Sequence, residues 1–407
     1  MGTRKTLVEK FLWVILTLLM ALTLEKAWNL YAQVPLTDPA GYTELAQRSR
    51  IFFDTTPREP LHIFLVKLAL PFSQRPETAL RVLTVIFTFI SFGILCLWAR
   101  FTMGFWPAFL TGLGFTSCSL IAYYSVQGFN MVSYVSFLLL FLAIWDRPPH
   151  LNPLPRRGEE NNIPSPHEGE GQGEGKSRMW LLGIAAGLTS LCRLEGLLVT
   201  GLCLIVDGLV RFRRDGERAI RQTAGAVLIA FLMVSPYLIQ QKITHGSFLY
   251  SHHVHAAFWA HRELIAESGF RIQNVPPAGR PMGLVQFFLE KGTTHGVMRF
   301  LKGLRLAVVW YTPRLLQGAP WQWLLIPLGL LFAARHRRWK PVFLWGATIL
   351  PVAFILPVDA IGPRSGVELR FLLPSIPILC ALSGMGAAWL LEKARAERAP
   401  TDSSKQL

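Results

Sequence analysis

Charge is scarce in this chain. Of its 407 residues only 16% are Asp, Glu, Lys or Arg, where soluble domains carry about 25%, and the shortage argues against an ordinary water-soluble fold. Cysteine is sparse too. Cys96, Cys118, Cys192, Cys203 and Cys380 are scattered through apolar runs with no CxxC or Cys/His spacing, so neither a disulfide framework nor a zinc site is indicated. Nucleotide signatures are missing as well. No Rossmann glycine fingerprint is present, and Gly175-Lys176-Ser177 has Glu170 where a phosphate-binding loop needs its first glycine.

Apolar residues take up the space that charge leaves. They make up 51% of the chain, in runs approaching the roughly 20 residues that cross a bilayer's hydrocarbon core. The net charge of +16 sits at the ends of those runs, as in Arg4, Lys5 and Lys10, Arg211, Arg213 and Arg214, Arg335, Arg337, Arg338 and Lys340, and Lys393 and Arg395. Such placement follows the positive-inside rule and suits anionic headgroups. It argues for a lipid bilayer as partner and against nucleic acid.

The chain therefore reads as an all-α polytopic membrane protein of about ten transmembrane helices, with outer-face juxtamembrane helices and a partly helical outer loop. Residues 1–145 form an N-terminal membrane module that begins with an uncleaved signal anchor and includes a first outer loop. Its spans are Phe11 to Leu30, Arg81 to Trp98, Gly104 to Tyr124 and Phe129 to Trp145. Pro60 to Phe72 is apolar but only about 13 residues long, too short to cross, and reads as a helix lying in the outer interface.

Residues 146–177 contain NPLPRRGEENNIPSPHEGEGQGEGKS, a composition that cannot build a packed core and predicts a disordered cytoplasmic insert. The central membrane helices occupy 178–239, with the overlong run Met179 to Val210 divided near Arg193, a basic loop from Arg211 to Arg221, and a span over Ala224 to Ile239. An outer-face loop covers 240–317. The C-terminal membrane helices fill 318–392, with spans Trp321 to Ala334, Pro341 to Pro357 and Phe371 to Leu391, and residues 393–407 form a cytoplasmic tail. Localisation follows: a multi-pass protein of the cytoplasmic (inner) membrane.

Ionisable groups near or inside a membrane are costly, and they mark function by default. The stretch TDPAGYTELAQRSRIFFDTTPREPL, Thr37 to Leu61, gathers Asp38, Tyr42, Glu44, Arg48, Arg50, Asp54, Arg58 and Glu59. Asp38 and Tyr42 are four residues apart, a spacing that shares one helix face. Asp38 is suited to general-base work; a helix cap before Pro39 is the plainer reading and is compatible with it. Arg58 carries a fork that suits a phosphate, against plain interfacial anchoring. Arg193 and Glu195, in GLTSLCRLEGLL, interrupt an apolar run and require a partner, a cavity or a ligand. Glu368 and Arg370 open the last span from outside. His252, His253, His255 and His261 cluster, but no acidic or Cys ligand stands at a suggestive spacing. No cofactor is identified, and no residue is assigned to a divalent metal.

The order of these features resembles the GT-C membrane glycosyltransferases, in the branch containing protein O-mannosyltransferases and lipid A aminoarabinose transferases. The matching features are an N-terminal span, then Asp38-x-x-x-Tyr42, then Arg58 before Pro60-Leu61, then Arg81 in ALRVLTVIF. They continue with the GIAAGLTSLCRLEGLL turn, PYLIQQKITHGSFLYS and ELRFLLPSIPIL. The resemblance of plan covers Phe11 to Leu391.

The resemblance implies an enzyme that moves a sugar from a polyprenyl-phosphate donor to an acceptor hydroxyl or amine on the outer face, the acceptor being a lipid, glycan or protein. By position, Asp38 would be the base and Arg58 would contact the donor phosphate, with Tyr42, Glu59, Arg81, Arg193 and Arg370 around the substrate. Two departures stand out. The family's Asp-Glu is Asp38-Pro39 here, leaving Glu44, Asp54 and Glu59 as candidates for the second acid, and its Pro-Pro-Leu is Glu59-Pro60-Leu61. The competing class is a transporter or flippase of a lipid-linked anion, with Arg58, Arg81 and Arg193 along its path. A non-catalytic assembly subunit is a third possibility.

Overall fold

The computed structural model describes residues 2–36, 40–55, 58–146, 170–267, 281–359 and 368–398. Among them all regular structure is helical. The chain runs through α1 (Gly2–Tyr31), α2 (Ala40–Arg48), α3 (Pro60–Ala69), α4 (Pro76–Met103), α5 (Phe105–Ser117), α6 (Ser119–Ser125) and α7 (Asn130–Trp145). It continues with α8 (Glu170–Cys192), α9 (Glu195–Asp215), α10 (Glu217–His245), α11 (Tyr250–Glu267), α12 (Leu284–Leu289) and α13 (Thr293–Arg305). The last are α14 (Thr312–Leu315), α15 (Gln322–Arg335), α16 (Trp339–Ala353), α17 (Leu356–Asp359) and α18 (Ser375–Arg398).

Local sequence explains several of these boundaries. Pro60 and Pro76 stand at the first turn of α3 and α4, each after an extended residue, where proline's missing N–H costs nothing and its fixed φ favours helix. The stretch Arg211 to Arg221 is not the loop expected from its charge. Arg-rich segments are good helix formers, so α9 runs on to Asp215 and α10 starts at Glu217, with Gly216 alone turning the chain at φ 55°. Likewise α8 begins at Glu170, inside the segment expected to be disordered. Residues 147–169 of that insert lie outside the described residues.

Among the described residues four helices are long and apolar enough to cross a membrane: Thr6–Tyr31, Pro76–Met103, Glu217–His245 and Ser375–Glu397. The pair α5 and α6 makes a fifth if counted as one span. This falls short of the expected ten, because Asn130–Trp145, Ser177–Cys192 and Gln322–Arg335 are apolar but shorter than a full crossing. The span expected over Gly104 to Tyr124 is bent by 60° at Cys118. There the Ser119 N–H leaves the helix ladder and donates to the Gln317 carbonyl at 2.9 Å, and Cys118 Sγ donates to the Leu315 carbonyl at 3.0 Å. The break near Arg193 falls where expected, between α8 and α9.

The core centres on α18. Ile376, Ile378, Leu379, Cys380, Ala381, Leu382 and Met385 are all fully buried. Against α15 the two backbones nearly touch: a Cβ on Gly329 would overlap the Leu382 carbonyl oxygen, and one on Gly386 the Leu325 carbonyl oxygen. Small residues allow such close crossings, which is how helices bind one another where lipid removes the hydrophobic driving force. At the other extreme α1 exposes Phe11, Val14, Leu18 and Leu22, as a lipid-facing helix should.

Polar contacts collect at two ends of the helix array. One end is basic, where Lys340 Nζ lies 3.3 Å from Asp207 and Arg211 Nε 2.8 Å from the same carboxylate. Arg178 and Lys340 there both donate to the Trp145 carbonyl, at 2.7 and 2.6 Å. The other end holds the candidate site.

Candidate active site

Arg193 stands at the break between α8 and α9. Its guanidinium pairs with Glu195 at 2.6 Å, approaches Asn130 Oδ1 at 3.4 Å, and lies over the Phe371 ring at 5.9 Å. With side chains only 14% and 22% exposed, the pair is well inside the protein. Glu59 enters from the segment before α3. It is buried, and its Oε1 accepts the Leu194 N–H at 3.5 Å, so a carboxylate faces the N-terminal end of α9, where the helix dipole favours negative charge.

Arg58 lies beside it, its guanidinium 5.3 Å above the Tyr42 ring. The Arg58 carbonyl accepts from Tyr237 at 3.1 Å and from Thr55 Oγ1 at 2.8 Å, so this corner of the chain is fastened to α10. Tyr42 is buried on α2 and meets the His62 ring edge-on at 5.1 Å. His62 Nδ1 in turn shares a hydrogen bond with Ser133 at 2.8 Å. Arg370 lies over Phe129 and Phe371 at 5.2 and 5.0 Å.

Tyr42, Arg58, Glu59, Arg193 and Arg370 thus share one end of the array, joined through Phe371, Tyr237 and the α8–α9 break. Arg81 is engaged differently. Its guanidinium donates to the carbonyls of Tyr31, Val126 and Val34 at 3.2, 2.7 and 2.5 Å, binding the end of α1 to the turn after α6. Asp38 lies outside the described residues, as does the side chain of Glu368. Of the three candidates for the second acid, Glu59 is buried in the cluster, whereas Glu44 and Asp54 are exposed and Glu44 lies 4.0 Å from Arg48.

The helix α11 roofs this cluster, a role that motif reading missed. Ser251, His255 and Trp259 recur at a spacing of four residues and so line one face. The Ser251 N–H donates to Gln241 at 2.7 Å, and Trp259 packs edge-on against Phe371 at 5.7 Å. His255 sits between them, with Glu59, Glu195, Arg193 and Arg58 as its electrostatic neighbours. Burial, opposed in part by the two carboxylates, holds its pKa below the ordinary histidine value. The four-residue repeat was the legible signal; the histidine cluster drew attention to metal instead. Among the described residues no group of three His, Cys, Asp or Glu side chains could hold a metal ion.

Beside the ion pair is a small cavity of about 20 Å3, room for about one water, lined by Tyr134, Arg193, Glu195, Thr348, Val352 and Phe371 among others. Its walls are apolar apart from the pair and two hydroxyl-bearing side chains. A cluster of guanidinium groups beside buried carboxylates can bind an anion and hold a proton acceptor next to it.

The fold is shared with solved structures of ArnT and AglB. The chain is similar to ArnT from Cupriavidus metallidurans in its apo crystal structure, at a TM-score of 0.54 and 14% identity over 98% of this chain and 62% of that one. The structure of the same protein bound to undecaprenyl phosphate gives 0.53 and 14%, over 94% of this chain and 63% of that one. The archaeal oligosaccharyltransferase AglB from Archaeoglobus fulgidus, in complex with an inhibitory peptide and a dolichol-phosphate, gives 0.51 and 13%, over 96% and 52%. The chain therefore spans between half and two thirds of the length of these neighbours. No protein-family model and no curated protein matches the sequence.

Proposed function

We propose that the protein is an integral-membrane glycosyltransferase that moves a sugar from a polyprenyl-phosphate donor to an acceptor hydroxyl or amine on the outer face of the inner membrane. The observation that carries the reading is the meeting of Arg58, Arg193 and Arg370 with buried Glu59 at one end of the array, on a fold whose solved examples include complexes with undecaprenyl phosphate and dolichol-phosphate. Sidedness follows from charge, since the opposite end carries Arg211, Arg338 and Lys340, the mark of the cytoplasmic face.

In the reaction the acceptor's oxygen or nitrogen forms a bond to the anomeric carbon, and Asp38 takes the acceptor's proton. The bond from that carbon to the phosphate oxygen breaks, its electron pair leaving with the phosphate. Arg58 meets the charge that develops there, with Arg193 behind it; donors fixed in advance where charge develops supply much of the acceleration in many enzymes. Glu59 supplies the second acid in place of the family's Asp-Glu partner. A lipid carrier explains why no nucleotide-binding signature is present.

The test is Asp38→Asn in purified protein, assayed with lipid-linked sugars. Transfer should fall at least about 100-fold while membrane insertion and donor binding persist. Undiminished transfer would remove Asp38 as the base, and loss of donor binding with it would make Asp38 a structural cap instead.

A further inference from the structure

Residues 291–314 carry Lys291, Arg299, Lys302, Arg305 and Arg314 without one Asp or Glu. For a chain that obeys the positive-inside rule they stand at the wrong end of the array. Helix α16 begins beside Lys340 at the basic end and finishes at Ala353. There Gly303 of α13 packs so closely that an added Cβ would overlap the Ala353 carbonyl oxygen. So α13 lies at the end that holds the candidate site, where an excess of cations calls for an anionic partner. Its roll about its own axis is fixed. Gly296, Arg299 and Gly303 are buried, and Arg299 pairs with Glu263 of α11 and donates to the Phe287 carbonyl at 3.2 Å. That inward face leaves Val297, Met298 and Leu301 exposed, and the π-helical turn Leu306–Tyr311 continues the strip with exposed Val308, Val309 and Trp310. Lys302 and Arg305 are exposed beside it, and Arg314 lies over the Trp310 ring at 4.5 Å.

We propose that α13 and its continuation to Arg314 form a binding surface for anionic phospholipid in the leaflet on the candidate-site side. The apolar strip enters the upper acyl region, and Lys302 and Arg305 hold headgroup phosphates. An apolar strip edged by cations and closed by a Trp is the pattern of a helix lying in a membrane interface, where long basic side chains reach the headgroups. Charge decides the occupant, since a segment with five cations and no acid matches a sheet of phosphates. Depth agrees, because α13 rests on the end of α16, where that helix leaves the apolar array. The surface uses none of the residues assigned to donor or acceptor, so it stands or falls apart from them.

A fluorophore attached at Val309→Cys reads the surface locally, because Val309 is 64% exposed and the five native cysteines are buried. The full-length protein is placed in phosphatidylcholine nanodiscs with a trace of lipid bearing a nitroxide near its headgroup, either phosphatidylglycerol or phosphatidylcholine. Both lipids should quench the label, phosphatidylglycerol the more strongly, and iodide in the water should quench it weakly. A cation near an anionic surface contributes about fivefold in lipid affinity, so Lys302→Gln with Arg305→Gln should lower the ratio of the two lipid signals by about 5-fold or more. High salt should move the ratio the same way. Equal quenching by the two lipids with both cations in place overturns the proposal, as does a ratio that the double substitution leaves unchanged. Strong quenching by iodide and none by lipid would put the strip in water, and shielding from both would mean that a protein partner or a second copy covers it. Either result overturns the proposal.

Discussion

Arg193→Met should destabilise the protein, and Glu195→Leu placed on top of it should restore much of the loss. Burial is the reason. The two side chains are 14% and 22% exposed and meet at 2.6 Å, so removing the guanidinium leaves a carboxylate that water reaches poorly. Breaking a fully buried pair costs about 3–5 kcal/mol. Partial exposure at the cavity reduces this to about 2–3 kcal/mol. The second substitution removes the orphaned charge, and apolar replacement of a whole buried pair is often neutral or better.

The readout is the midpoint of thermal unfolding in detergent. One kcal/mol shifts a midpoint by roughly 2–4 °C in a chain of 150–250 residues and by less in a larger one, so the single variant should drop about 3–6 °C. The double variant should recover at least half of that, the remainder being the lost approach to Asn130 at 3.4 Å and the cation–π contact with Phe371 at 5.9 Å. A double variant as unstable as the single one would refute the reasoning, because the cost would then come from packing and not from an unpaired charge. An undisturbed single variant would show that the break between α8 and α9 does not depend on the pair.

Two further outcomes follow from other parts of the molecule. Gly329→Ala should cost about 1–3 kcal/mol, since the added Cβ overlaps the Leu382 carbonyl where α15 crosses α18. Gly346→Ala, with nothing within 4 Å, should be neutral or stabilise by up to about 1 kcal/mol, and unfolding midpoints of the pair compare them. Acid should loosen α11: the His255 pKa is held below the usual 6.5, chiefly by burial, so the unfolded state binds the proton first and stability is lost as pH falls below that value. Hydrogen exchange of α11 between about pH 7 and pH 5 reads this, and His255→Asn should flatten the response.

Composition and charge placement made the membrane class and the helical fold legible, and the order of short motifs pointed to the GT-C plan. The break at Arg193 was readable for a physical reason: an Arg and a Glu two residues apart cannot sit in a continuous apolar helix without a partner. The bend at Cys118 was not readable, because the groups that stabilise it, the Leu315 and Gln317 carbonyls, lie some two hundred residues away. Arg81 looked like a ligand-binding cation in the sequence, and nothing local revealed that Tyr31, Val34 and Val126 carbonyls would surround it. Glu59 could not be separated from Glu44 and Asp54 by sequence, since burial distinguishes them and burial is set by how α3 packs. Span counting suffered from the same cause: helices such as α7 and α15 are apolar enough, yet too short to be credited singly.

The most direct test of the proposed donor site is the structure of the full-length protein with undecaprenyl phosphate bound. Phosphate oxygens should lie about 3 Å from the guanidinium groups of Arg58 and Arg193, at the end of the array where Glu59 meets α9. A phosphate seated instead at the opposite end, among Arg211, Arg338 and Lys340, would contradict it.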